Sequence, residues 1–156
     1  MKNNITRLEK RAIEAMAIAP LIRELGKIFA KNEILGVLRD INQKEAFERG
    51  RDMATDERGN PIEILVKDVA TWGAGEVWEM EVLEQTPTTY FFNVTRCPYY
   101  EKYSELGLEE FGVELSCCRD EPFARGLNPR LKLVRTKTIM QGADVCDVRY
   151  HLLPGD

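Results

Sequence analysis

Histidine occurs once in the 156 residues, at His151, and no long apolar run occurs anywhere in the chain. A single histidine leaves little room for the His-based acid–base machinery of many hydrolases. Without a stretch near the roughly 20 apolar residues of a bilayer span, no membrane partner is expected. The opening residues, MKNNITRLEKRAIEAM, are charged throughout and lack the apolar centre of a secretory signal, so a cytoplasmic location is expected. No Cys-x-x-Cys pair occurs, which removes the usual zinc-ribbon signature. Positive charge is not in excess: 22 Lys and Arg stand against 26 Asp and Glu, for a net charge of -4 and no long basic stripe. Nucleic acid is therefore a poor partner.

What is present suits a globular protein. A hydrophobic fraction of 44% over this length is enough for a core. One domain is expected over residues 1–156. Its first part, 1–73, reads as mainly helical, and 74–156 as strand-rich and cysteine-bearing. Thr6 and Glu9 have capping-box spacing before Leu8, Ala12, Ile13 and Met16. Pro20 is placed to open a second helix. Asn32 is placed to cap a third, running to about Ala54. Asn60-Pro61 starts a fourth, expected to stop near Gly73.

The period then changes to two. Val77 to Gln85 and Tyr90 to Cys97 read as a hairpin of strands. Glu79 and Glu81 are expected to face water. Tyr99–Leu106 and Leu108–Cys117 read as short helices, and RGLNP as a loop. Leu131 to Met140 and Val145 to Leu152 read as a second strand pair turning at Gln141-Gly142. The expected fold is α+β: N-terminal helices packed on a four-stranded, mainly antiparallel sheet, with one or two helices between strands 2 and 3.

The four cysteines are the chemical question. Free thiols are expected in a reducing compartment. Cys97, Cys118 and Cys146 fall near the ends of predicted elements, and Cys117 reads as a core residue of a helical turn. Three roles stay open: packing, zinc ligation by Cys97, Cys118 and Cys146, or a thiolate nucleophile with a nearby cation or base. On the predicted third strand, Arg135 shares a face with Leu131 and Leu133 and is a candidate carboxylate clamp. In CDVRY, Asp147 and Arg149 face opposite to Cys146, Val148 and Tyr150, and read as a solvated pair.

FNVTRCPYYEKYSELG, then CRDE, then GLNPRLKLVRTKTIMQGADVCDVRY, resemble the L-2-amino-thiazoline-4-carboxylic acid hydrolase family over about residues 90–151. That family is in turn distantly similar to 4-vinyl-reductase-type and transport-particle-like domains, small α+β folds that often dimerise. The matching positions include Asn93, Arg96, Cys97, Cys118, Asp120, Arg135, Cys146 and Asp147. The resemblance implies hydrolysis of a non-peptide C–N bond in a small cyclic amidine, such as an aminothiazoline carboxylate.

That chemistry needs a carboxylate for the amidine, a cation for the substrate carboxylate, and an attacking group. Asp120 is the first choice for the amidine and Asp147 the second. Arg135 is preferred over Arg96 for the substrate carboxylate, with Asn93 as a further binding residue. Cys97 or Cys118 is the candidate nucleophile, and zinc-bound water is the alternative attacking group. A pocket joining Asp120, Arg135 and a cysteine would favour a hydrolase; a cysteine pocket without a carboxylate would favour a non-enzymatic sensor. A third option is an interaction scaffold, which would show a large apolar surface on the N-terminal helices; the resemblance also implies a homodimer.

Overall fold

A computed structural model of the protein describes residues 5–73 and 78–155. The helices are α1 (Arg7–Leu25), α2 (Lys31–Asp56), α3 (Pro61–Ala70), α4 (Pro98–Glu105), the single turn α5 (Gly112–Leu115) and α6 (Asp120–Leu127). The strands are β1 (Glu79–Gln85), β2 (Thr89–Arg96), β3 (Leu131–Val134) and β4 (Cys146–Leu152). They form one antiparallel sheet in the order β1-β2-β4-β3. The α+β expectation holds, with helices between the second and third strands.

Two of the three helix starts read from caps are present. Thr6 Oγ1 accepts from Glu9 N, and Glu9 Oε2 accepts from Thr6 N. Asn60 Oδ1 accepts from Ile62 N, with Pro61 at the first helical position. Three helical expectations change. Asn32 caps nothing: it lies inside α2, whose N-cap is Ala30, where the Glu33 carboxylate accepts from the Ala30 N–H. Pro20 lies inside α1 and opens nothing. Leu8, Ala12, Ala15, Ala19 and Ile22 are buried at unbroken helical spacing across it, so packing outweighs the one backbone bond that proline lacks. The segment after Cys118 is also helical: α6 covers most of what reads as a loop. Pro122 sits in its first turn, and Phe123, Ala124 and Leu127 are buried.

The third strand is shorter than expected. It ends at Val134, and the chain runs on to a 3₁₀ turn at Ile139–Gln141 before Gly142 reverses it at φ 89°. Val77 lies outside the described residues. On β1, pairing shifts between Val82 and Glu84 break the simple alternation, and Val82 is exposed with its neighbours at this sheet edge.

Two hydrophobic clusters result. The first packs Tyr90, Phe92, Val94, Val148 and Tyr150 of the sheet against α3 and α6. The second joins α1 and Leu38 of α2 to Tyr99, Tyr103, Phe111 and Leu115. Each fully buried side chain of this size contributes about 1.5–3 kcal/mol relative to exposure. Trp78 and Cys97 pack against both clusters, so they mark the seam.

The crossing of α2 and α6 lies in the first cluster. A Cβ on Gly50 would stand 2.2 Å from the Phe123 carbonyl oxygen, and one on Gly126 would stand 2.1 Å from that of Phe47. Only glycine permits this approach from both sides. The helices α1 and α2 and the turn between them line an apolar groove with the exposed Leu21, Phe29, Val37 and Ile41, and Ile13, Met16 and Ile28 are exposed as well. Among the described residues, no helix is long and apolar enough to cross a membrane.

Candidate active site

A cavity opens at the seam between the two clusters. Its wall combines Cys97, Cys117 and Cys146, the carboxylate of Asp120, and arginines from both halves of the chain: Arg7, Arg11, Arg49, Arg119 and Arg135. Trp72, Trp78 and Tyr99 add aromatic surface. Each group has a structural origin. The capping box starts α1 so that Arg7 and Arg11, one turn apart, face the cavity together. Cys97 is the residue at which β2 gives way to α4, with Pro98 at the first helical position. Cys146 is the first residue of β4, on its inward face. Asp120 opens α6 directly after the 3₁₀ turn at Cys117–Arg119.

Asp120 and Arg135 form the central ion pair. Arg135 Nη1 donates to Asp120 Oδ2 at 2.5 Å, and Arg135 Nη2 donates to the Cys117 carbonyl at 2.8 Å. Both side chains are largely buried. Arg135 is thus a carboxylate clamp, and the carboxylate it holds is the protein's own. Asp120 Oδ1 accepts no hydrogen bond among the described residues. Burial pushes the Asp120 carboxyl above the usual aspartate range, against the pull of Arg135 and Arg49. Arg135 is held charged: burial opposes that, but the Asp120 carboxylate outweighs it.

Burial also dominates the thiols. It raises Cys97 to about 11, offset in part by backbone N–H groups of Tyr100 and Tyr99. Cys118 is raised to about 11 as well, and Cys117 and Cys146 are raised. At neutral pH the resting groups are thiols, not thiolates.

The residues singled out from sequence separate into two groups. Cys97, Asp120, Arg135 and Cys146 meet at the cavity. Cys118 does not line it. Its Sγ donates to the Glu114 carbonyl at 3.1 Å, and its neighbour Cys117 takes the wall position. Adjacent residues of a tight helical turn point in different directions, so a shift of one residue exchanges their roles. Asn93, Asp147 and Arg96 lie elsewhere. Asn93 Oδ1 accepts from Arg149 Nη2 at 2.9 Å on the outward face of the sheet. Asp147 accepts from Thr136 N, Thr136 Oγ1 and Lys137 N, and so caps the loop after β3 instead of pairing with Arg149. Arg96 makes a two-point ion pair with Glu101. His151 lies tilted against Phe91 and does not line the cavity. Among the described residues, no group of three or more His, Cys, Asp and Glu is arranged to hold a metal ion. Cys97, Cys118 and Cys146 are not gathered as a ligand set.

The L-2-amino-thiazoline-4-carboxylic acid hydrolase family matches residues 10–150. The chain belongs to that family. No curated protein matches the chain. The family match takes in most of α1, all of α2 through β3, most of β4, and every cavity residue named above except Arg7. It therefore extends the resemblance of the cysteine-bearing half to the helical half that supplies the other arginines.

Those helical residues had no part in the sequence-based site. Arg7, Arg11 and Arg49 come from charged helices whose many Lys and Arg look alike in a string. Asp68 had a visible signal. It lies three residues after Leu65 on the apolar stripe of α3 and is buried. A buried carboxylate needs partners. It finds Arg7 at 3.0 Å, Arg49 at 3.1 Å and the Trp72 indole N–H at 2.9 Å. Burial alone would raise its carboxyl, but these partners hold it below the usual range.

Proposed function

We propose that this member of the family is a hydrolase that opens a C–N bond of a small cyclic amidine bearing a carboxylate, such as an aminothiazoline carboxylate. The observation that carries the reading is the joining of Asp120, Arg135 and three thiols in one cavity. A cysteine pocket without a carboxylate would have favoured a sensor. Asp120 is the proton-transfer group, with Oδ1 open to the substrate amidine and Oδ2 held by Arg135. Water adds to the amidine carbon as Asp120 takes its proton. The bond from that carbon to the ring nitrogen breaks, and the nitrogen leaves as an amine carrying the proton from Asp120. One water is consumed and no redox partner is needed. The neutral thiols line this step, and a covalent route would use Cys97 as its nucleophile.

The test is incubation of the purified protein with 2-aminothiazoline-4-carboxylate, read by mass spectrometry and amine release. A product heavier by one water, absent with Asp120→Asn, is expected. Saturable binding without turnover would sink the hydrolase reading in favour of the sensor.

A second observation favours a homodimer. The apolar groove between α1 and α2 lies among exposed Leu21, Phe29, Val37 and Ile41, with Glu33 and Asn42 as its polar lining. A surface so poor in charge suits another copy of itself. Light scattering should report a dimer for the wild type and a monomer for Leu21→Glu/Ile41→Glu. We read residues 1–156 as one domain because Trp78 and Cys97 bind both clusters into one core. Four unpaired thiols fit a reducing, cytoplasmic setting.

A further inference from the structure

The arginines of the cavity are not balanced alike. Arg135 has Asp120, Arg119 has Glu45 and Arg11 has Glu14 at 2.5 Å in each case. Arg7 and Arg49 share one carboxylate, and both donate to the same oxygen, Asp68 Oδ1. Their donor nitrogens are therefore no further apart than the sum of 3.0 and 3.1 Å. The second oxygen of Asp68 is taken by the Trp72 indole. One buried anion thus organises two cations on the cavity wall and leaves one positive charge uncompensated. Among the described residues, each guanidinium keeps donors that no protein group uses, because only Arg7 Nη2 and Arg49 Nη1 bond Asp68. Arg49 is further fixed by stacking over Phe123, its Cζ 3.9 Å from the ring centroid.

We infer that Arg7 and Arg49, held together by Asp68, form the subsite for the carboxylate of the ligand. This rests on the hydrolase reading for the identity of the ligand, and only for that. Two guanidiniums on one side of a small cavity match a planar carboxylate geometrically as well as by charge. Arg135 cannot serve this purpose without surrendering Asp120. The arrangement sorts a zwitterion by its ends. An amidinium is drawn to Asp120, and a carboxylate to the Arg7–Arg49 pair. Asp68 is a positioning residue: it sets the separation of the two arginines and does not face the ligand.

Trp72 and Trp78 are the only tryptophans in the chain, and both line the cavity. Their fluorescence reports occupancy without turnover. Three probes separate the possibilities: 2-aminothiazoline-4-carboxylate, thiazolidine-4-carboxylate, which lacks the amidine, and 2-aminothiazoline, which lacks the carboxylate. Saturable quenching by both carboxylates is expected, with binding of the carboxylate-free ring weaker by about tenfold or more. Arg49→Gln should weaken both carboxylates by a similar factor and leave the carboxylate-free ring unchanged. Arg7→Gln provides the same readout from another helix, should either variant fold poorly. Carboxylates that bind both variants as tightly as the wild type, or that give no saturable signal with the wild type, would overturn the subsite. Carboxylate binding lost in Arg49→Gln, with no hydrolysis of any probe, would support the subsite and remove the hydrolase.

Discussion

Along β2 and β4, the residues that face the helices differ in kind from those that face away. Inward, Tyr90, Phe92 and Val94 stand with Cys146, Val148 and Tyr150, all buried. Outward, Phe91 and Asn93 stand with Asp147, Arg149 and His151, all half-buried. The inward face is apolar except where the strands end, and there its thiols meet Asp120 and the arginines. The outward face is richer in polar groups, yet those groups are occupied with the sheet itself. Arg149 donates to the Phe92 carbonyl at 2.7 Å and to Asn93, and Asp147 caps the loop after β3. Polar density does not mark the site. What marks it is polar atoms left unspent beside a cavity, such as Asp120 Oδ1 and the free donors of Arg7 and Arg49.

The largest effect should come from the inward side. Asp120→Asn keeps the shape and removes the proposed proton carrier, so kcat should fall by about 10²–10⁴, with the fold intact by circular dichroism. The pH dependence follows from the raised carboxyl of Asp120. A base must be ionised, so kcat/KM should rise with pH through a midpoint above the ordinary aspartate range. The same shift makes the folded state bind this proton more tightly than the unfolded state. Stability should therefore fall as pH rises between the ordinary aspartate value and the folded one, and Asp120→Asn should flatten that slope. An acid limb unchanged in the variant would remove Asp120 from its role.

The next effect tests how the two halves are joined. Gly126→Ala places a methyl against the Phe47 carbonyl. Overpacking of this kind costs about 1–3 kcal/mol, and more where backbone must move. It should lower the melting temperature. It should also reduce activity in the population that remains folded, because α2 carries Arg49 and α6 carries Asp120. Full activity per folded molecule would mean that the cavity does not depend on the crossing.

The same crossing explains what could and could not be read from the string. Caps at Thr6 and Asn60 and the alternation of TYFFNVTR are local, and local chemistry repeats from protein to protein. Cys97, Asp120, Arg135 and Cys146 were reachable because they lie in one motif-bearing half. The arginines of α1 and α2 were not, because their meeting with Asp68 depends on helix packing across 61 and 19 residues of chain. Asn93, Arg96 and Asp147 show the opposite failure. They belong to the recognisable motif, and the structure gives each of them a partner in the fold. A motif mixes residues kept for the sheet with residues facing the cavity, and spacing alone does not separate them. Cys118 and Cys117 differ by one position, which a helical turn converts into opposite surroundings.

The outward face should respond mildly, and in stability alone. Asp147 is depressed below the usual range because bonds from Thr136 and Lys137 overcome the effect of burial. Its contribution is present above the unfolded aspartate value and is lost as pH falls through the folded one. Asp147→Ala should cost about 1–2 kcal/mol at neutral pH, less in acid, by chemical denaturation.

Asn93→Ala is the smallest change and the sharpest test of the comparison between faces. It removes one acceptor from Arg149, which keeps the Phe92 and Val148 carbonyls. A cost of about 0.5–1.5 kcal/mol is expected for one such bond. Because Asn93 faces away from the thiols, kcat and KM for the aminothiazoline carboxylate should stay at wild-type values. If the stability change is small and kcat nonetheless collapses, the outward network of Asn93, Arg149 and Asp147 is itself a site. The division of labour between the two faces would then be the reverse of the one their hydrogen bonds describe.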